Sequence, residues 1–172
     1  MRTNLSSQIS LNRVSTRYYK PENTIERSVL TRFEKIPTNI YETVDEGVSC
    51  IADEIIRKVQ ERQRDGKFCT IATGTGASLR PLFAELVRRH KEEGVSFRNV
   101  VVFNLYEYYP LTEPNNSSFN QLNELFLKQV DIDPQNVFTL NGTIPQEGVI
   151  DHCHLYEQRI KTYGGIDNGN RS

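Results

Sequence analysis

Two neighbouring residues that could move protons, Tyr106 and Glu107, follow an apolar run in the sequence VVFNLYEYYPL, residues 101–111. The run from Val100 to Phe103 predicts a buried strand, and open α/β sheets bind ligands at the carboxyl ends of their strands. Glutamate is the better base, because a phenol with a pKa near ~10 stays protonated at neutral pH and mainly donates hydrogen bonds. The alternative is that the tyrosines of this segment form an aromatic rim that only packs on a loop.

A second chemical candidate is the glycine-containing sequence ATGTGAS, residues 72–78, between a predicted strand and a predicted helix. Glycines let backbone N–H groups approach an anion closely, and the helix dipole adds positive potential, so the turn could bind a phosphate. It matches neither the Walker pattern nor the dinucleotide fingerprint, and a tight turn without a ligand is the alternative. The candidate phosphate-binding residues are Gly74, Thr75, Gly76, Ala77 and Ser78.

A metal site is not expected. His152, Cys153 and His154 lie close together, but successive residues on a helix diverge by ~100°, so the two histidines point to different faces. The three cysteines are odd in number and widely spaced, which argues against a disulfide framework and for a reducing compartment.

Composition bounds the class of protein. The chain has 172 residues, 37% of them hydrophobic and a net charge of −1, which suits one globular domain. No apolar stretch approaches a membrane span and no secretory signal is visible, so we expect a cytoplasmic protein without membrane contacts. The composition of residues 1–37 indicates a polar, basic N-terminal arm. Because the charges of this arm are scattered, we expect it to be solvated or to contact another protomer, and we expect no nucleic-acid binding.

Helices and strands alternate along the rest of the chain. Apolar spacing from Val44 to Val59 predicts a first helix, which Asp65-Gly66 closes. Further helices are predicted from Leu79 to about Gly94, from Ser117 or Ser118, and over about 147–163 with Leu155 on the buried side. We expect Ser78 to cap the second helix, and strands at 67–72, 100–104 and within NVFTL, 136–140. Connections of this length imply parallel strands with right-handed crossovers, so the predicted class is α/β, a Rossmann-like three-layer fold with a mainly parallel sheet.

The order of these motifs resembles the glucosamine-6-phosphate deaminases and the related 6-phosphogluconolactonases. The matching stretches are ATGTGAS, HKEEGVSFRNVVVFNLYEY, NNSSFNQL, VDIDPQNVFTLNG and YEQRIKTYGGID, within residues 38–167. The family continues with a strand and a segment like GHIAFNEP, whereas here residues 168–172 form a non-matching tail. We therefore expect a truncated N-terminal part of the family domain, whose exposed sheet edge favours a homo-oligomer.

The resemblance implies a sugar phosphate as ligand, no cofactor, and conversion of an amino sugar phosphate to a keto sugar phosphate and ammonia. The family's base is the Asp of FNMDEY, and Tyr106 stands at that position, while Glu107 matches the family's own Glu. The resemblance therefore implies a deaminase-like protein with impaired catalysis. Two alternatives are a non-catalytic sugar-phosphate-binding regulatory module and a lactonase-like hydrolase.

Overall fold

The computed structural model of the protein describes residues 24–25 and 39–164. Of the described residues, those from Thr43 to Gly164 belong to one compact unit. Its helices and strands, in chain order, are α1 (Val44–Arg64), β1 (Cys69–Thr73), α2 (Arg80–Glu93), β2 (Val100–Asn104), α3 (Ser118–Leu125), β3 (Val137–Phe138) and α4 (Val149–Thr162). Most of the arm at 1–37 and the tail at 168–172 lie outside the described residues, so the proposed domain boundaries stay predictions.

The three strands form one parallel sheet in the order β1-β2-β3, with helices on both faces. All five residues of β2 are buried, as its unbroken apolar sequence predicts for a central parallel strand. Val100 and Val102 pack into the core that α1, α2 and α3 cover, whereas Val101 and Phe103 face Tyr156 of α4. The alternation of side chains along a strand therefore places one strand in the middle of three layers.

Local signals set the ends of the helices. Thr43 caps α1 by accepting a hydrogen bond from the Glu46 backbone N–H at 3.1 Å. Gly94 ends α2 in the left-handed region, with φ 72°, where a glycine avoids steric strain. Arg89 of α2 reaches Asp53 of α1 at 2.6 Å, so an ion pair accompanies the apolar contact between these helices.

The elements differ from the sequence-based expectations in several details. Ser78 does not cap a helix: Ala77–Leu79 form a 3-10 turn, and α2 begins at Arg80 with Leu79 as its N-cap. The predicted apolar face of α1 is wider than the buried one, since Val44 and Ile51 are 69% and 46% exposed, and Leu155 of α4 is 56% exposed. Hydrophobic periodicity identifies a helix but does not fix the width of the face that its neighbours cover.

The register of the sheet brings the two candidate segments together. Thr73 at the end of β1 lies beside Asn104 at the end of β2. The Leu105 backbone N–H donates to the Thr73 carbonyl at 2.9 Å, which extends the pairing by one residue. The glycine loop after β1 and the tyrosine-rich segment after β2 therefore leave the sheet side by side.

Candidate functional site

The loop at residues 74–78 runs from the end of β1 into the 3-10 turn that precedes α2. Gly74 is buried, whereas Gly76, Ala77 and Ser78 are exposed. A Cβ atom at Gly74 would lie 2.5 Å from Cε1 of Tyr106, so the tyrosine ring rests directly on this glycine. At Gly76 the nearest atom to such a Cβ would be Ser78 Oγ at 3.7 Å, so that side of the loop is open. The exposed part of the loop is accessible to a ligand.

Tyr106 is hydrogen-bonded to the peptide groups of the loop. Its hydroxyl donates to the Thr75 carbonyl oxygen at 2.8 Å and accepts from the Thr75 backbone N–H at 3.2 Å. The ring is 40% exposed, so Tyr106 forms one wall of the loop and still faces solvent.

Glu107 points away from the loop, towards the N-terminus of α3. Its carboxylate accepts four hydrogen bonds, from the Ser117 hydroxyl at 2.7 Å and from the backbone N–H groups of Ser118, Phe119 and Tyr108 at 2.8, 3.1 and 3.0 Å. Burial alone would raise the pKa of Glu107, but these hydrogen bonds outweigh it and the pKa is lowered. The side chain thus satisfies N–H groups that the first turn of α3 leaves without partners in the helix.

A chain of polar side chains links the loop to β2 and α3. Thr75 Oγ1 lies 2.9 Å from Ser118 Oγ, and the Ser118 hydroxyl donates to Asn104 Oδ1 at 3.3 Å. Asn104 and Ser118 are fully buried, and Asn104 Nδ2 donates to the Tyr106 carbonyl at 2.9 Å. Sequence reasoning did not predict these contacts, although a polar residue that ends a buried strand was a signal for Asn104.

The structure brings some of the predicted site residues together and separates others. Tyr106 lies on the loop at 74–78, while Glu107 lies on the opposite side of the segment, as alternation along an extended chain requires. His152 accepts a hydrogen bond from the Asn141 backbone N–H at 3.0 Å. Within residues 24–25 and 39–164, no group of three His, Cys, Asp or Glu side chains is placed to hold a metal ion. None of the helices described there is long and apolar enough to cross a membrane.

Residues 42–171 match the model of the family glucosamine-6-phosphate isomerases/6-phosphogluconolactonase. The chain belongs to this family. The match includes the glycine loop, β2, the tyrosine-rich segment and α3, so the whole candidate site lies within the family region.

Individual members of the glucosamine-6-phosphate isomerase family support the assignment. The chain is 59% identical over 168 residues to a glucosamine-6-phosphate deaminase-like protein of Bacteroides thetaiotaomicron, covering 97% of this chain and 25% of that protein. It is 33% identical over 130 residues to a glucosamine-6-phosphate deaminase of Dictyostelium discoideum, covering 69% and 48%. The structure of a monomeric glucosamine-6-phosphate deaminase of the NagB superfamily superposes with a TM-score of 0.64 at 26% identity, covering 74% of this chain and 51% of the other.

The chain therefore spans a quarter of the length of the Bacteroides relative and about half of the other two proteins. The Rossmann-like fold predicted from the sequence is confirmed, and so is the coverage of only part of the family domain.

Proposed function

We propose that the protein is a glucosamine-6-phosphate deaminase-like protein that binds a sugar phosphate at residues 74–78 and whose turnover is impaired. The observation that carries the proposal is that the Tyr106 hydroxyl contacts both the backbone N–H and the backbone carbonyl oxygen of Thr75. Tyr106 stands at the position that corresponds, by resemblance, to the family's base. The contact therefore brings this position next to the candidate phosphate loop, with a phenol in place of a carboxylate. Relatives named as deaminases support the choice of substrate class.

The phosphate would be held by the exposed part of the loop. Gly76, Ala77 and Ser78 are accessible, and they lead into α2, whose N-terminus favours an anion. The Thr75 N–H contributes less to this site, because the Tyr106 hydroxyl already accepts from it at 3.2 Å. Phosphate binding of this kind needs neither a cofactor nor a metal ion, so the proposal includes none. A homo-oligomer in the cytoplasm, without nucleic-acid partners, remains part of the proposal.

The impairment follows from the two groups that could remove a proton. A neutral phenol is a weak base at pH 7, and the Tyr106 proton is donated to the Thr75 carbonyl. Both oxygens of Glu107 accept two hydrogen bonds each, and its pKa is lowered, so this carboxylate is a poor proton acceptor. General-base catalysis typically contributes ~10²–10⁴-fold, which is the loss that we expect relative to a carboxylate at position 106.

Because both groups are already used in structural hydrogen bonds, a second candidate function is a non-catalytic regulatory module that binds a sugar phosphate. A third candidate is hydrolysis of a phosphorylated lactone, which is the activity in the second half of the family name. The three candidates share the loop and differ only in the chemistry that follows binding.

The test measures ammonia release from glucosamine 6-phosphate, lactone hydrolysis and ligand binding with the full-length protein. We expect binding with little or no turnover, and Tyr106→Asp should increase ammonia release. Tyr108→Asp is the matched control, because Tyr108 is an exposed tyrosine of the same segment. Rapid ammonia release by the wild-type protein and by Tyr106→Phe would show that another group is the base. Binding without turnover in either variant would favour the regulatory module.

The binding part is tested by Gly76→Val. The open space beside Gly76 should let the side chain fit without disturbing the fold, while it covers the backbone of the exposed loop residues. We expect weaker binding of the sugar phosphate at unchanged thermal stability. Equal affinity in wild type and variant would place the phosphate elsewhere.

A further inference from the structure

The hydrogen-bond chain from Asn104 to Thr75 has a defined direction, because a backbone carbonyl fixes one end. The Tyr106 carbonyl can only accept, so the group of the Asn104 amide that faces it at 2.9 Å must be the NH₂ group. The other end of the amide, Oδ1, is therefore an acceptor, and the Ser118 hydroxyl donates to it at 3.3 Å. Both side chains are fully buried, where a carbonyl without a donor would be unfavourable.

The direction carries over to the loop. Since the Ser118 proton is donated to Asn104, Ser118 Oγ can serve Thr75 only as an acceptor, and the Thr75 hydroxyl must donate across the 2.9 Å contact. The alternative acceptor, the Tyr106 hydroxyl, is farther away at 3.4 Å. With its only proton used, the Thr75 hydroxyl offers lone pairs and no proton to a ligand.

We propose that Ser118 and Asn104 are positioning residues that fix the Thr75 hydroxyl as a hydrogen-bond acceptor, and that this hydroxyl recognises an ammonium or hydroxyl group of the ligand and not its phosphate. The inference rests on the proposed function, since it concerns the same loop. The dianion of a phosphate ester, the main form above pH ~6, has oxygens that only accept hydrogen bonds, so the Thr75 acceptor does not suit it. The backbone N–H groups of Gly76, Ala77 and Ser78 are donors and do. The loop therefore pairs a donor surface for phosphate with an adjacent acceptor for the body of the ligand.

The experiment compares the dissociation constants of methyl phosphate and glucosamine 6-phosphate at pH 8, by calorimetry, for the full-length protein and its variants. The quantity of interest is the preference, which is the methyl phosphate constant divided by the sugar-phosphate constant. Ser118→Ala releases the Thr75 proton, and Thr75→Val removes the hydroxyl. We expect each to lower the preference by about fivefold, the effect of one lost hydrogen bond.

Ser117→Ala is the control, since Ser117 is an equally buried neighbour that donates to Glu107 and not to the Thr75 chain. This variant should lower stability and leave the preference unchanged, whereas a general loosening of the fold would lower both affinities in all three variants. If Ser118→Ala does not fold, Thr75→Val reports on the same acceptor.

Two results would overturn the inference. If Thr75→Val weakened the binding of methyl phosphate and sugar phosphate equally, the hydroxyl would be a donor to the phosphate. If Thr75→Val left both dissociation constants unchanged, the hydroxyl would contact no ligand group. After either result, the proposed function still holds if the wild-type protein binds the sugar phosphate and Gly76→Val weakens that binding. A wild-type protein that binds neither compound would overturn both the inference and the proposed function.

Discussion

Replacement of Glu107 by glutamine tests whether this carboxylate holds the tyrosine-rich segment after β2 against α3. In the wild-type protein Oε1 accepts from the backbone N–H groups of Tyr108 and Ser118, and Oε2 accepts from the Ser117 hydroxyl and the Phe119 N–H. Glutamine has nearly the same shape, but one of its two terminal groups is an NH₂ donor. The variant therefore changes hydrogen bonding and charge with little change in packing.

The expected magnitude follows from these contacts. The best orientation turns the NH₂ group towards the Ser117 hydroxyl, which can rotate to accept, and leaves the Phe119 N–H without a partner. An unpaired donor of this kind costs about 1–3 kcal/mol. Loss of a negative charge at the N-terminus of a helix costs a further ~0.3–1 kcal/mol. We expect the free energy of unfolding to fall by about 2–3 kcal/mol at pH 7, with a Tm lower by roughly 5–10 °C.

The effect should depend on pH in a defined direction. The pKa of Glu107 is lowered in the folded protein, so its contribution is fully present above the unfolded value of ~4.3 and is lost as the pH falls through the folded value. Denaturant unfolding of both proteins between pH 3 and pH 8 measures this. The difference in stability should be constant from about pH 5 upward and should shrink in acid.

Glu113→Gln is the matched control, since Glu113 is an exposed glutamate of the same segment whose side chain caps no helix. It should change stability by less than ~0.5 kcal/mol. The reasoning is refuted if Glu107→Gln unfolds at the same denaturant concentration as the wild-type protein. If Glu107→Gln leaves stability unchanged but abolishes the ammonia release expected of Tyr106→Asp when the two changes are combined, Glu107 would instead be assigned to the chemistry.

Three further predictions concern contacts around the site. Gly74→Ala should displace the Tyr106 ring, because its Cβ would lie 2.5 Å from that ring; a change in tyrosine fluorescence that persists in Gly74→Ala/Tyr106→Ala would refute this. Gly142→Ala places a Cβ 2.2 Å from a backbone carbonyl oxygen and should lower the free energy of unfolding by about 2 kcal/mol or more. Gly148→Ala is the control, because a Cβ there would have no atom within 4 Å and should leave the free energy of unfolding unchanged. Equal unfolding midpoints of the two variants would contradict the structure. Tyr156 donates a hydrogen bond at 2.7 Å to the carbonyl at the end of β2, and burial raises its pKa to about 12. Its contribution to stability is therefore complete below pH ~10 and is lost as the pH rises through 12. Tyr156→Phe should be less stable than the wild type at pH 7 and should lack this alkaline dependence when unfolding is followed by spectroscopy.

The sequence by itself determined the order of elements and the neighbourhood of the site. The apolar run of β2 required a central strand, and the glycine loop and the tyrosine segment each follow a strand, so parallel pairing had to bring them to the same edge. Alternation along an extended chain also requires that Tyr106 and Glu107 point in opposite directions. These features depend on local periodicity, which a sequence records directly.

The tertiary structure decided which atoms meet and in which direction each hydrogen bond runs. Thr75 and Ser118 are 43 residues apart, and three of the four donors to Glu107 lie 10 to 12 residues after it, so no local pattern encodes these pairs. The exposure of Ile51 and Leu155 likewise depends on which neighbours cover each helix. Local periodicity fixes the face of a residue, but the position of its partner depends on how separate elements pack.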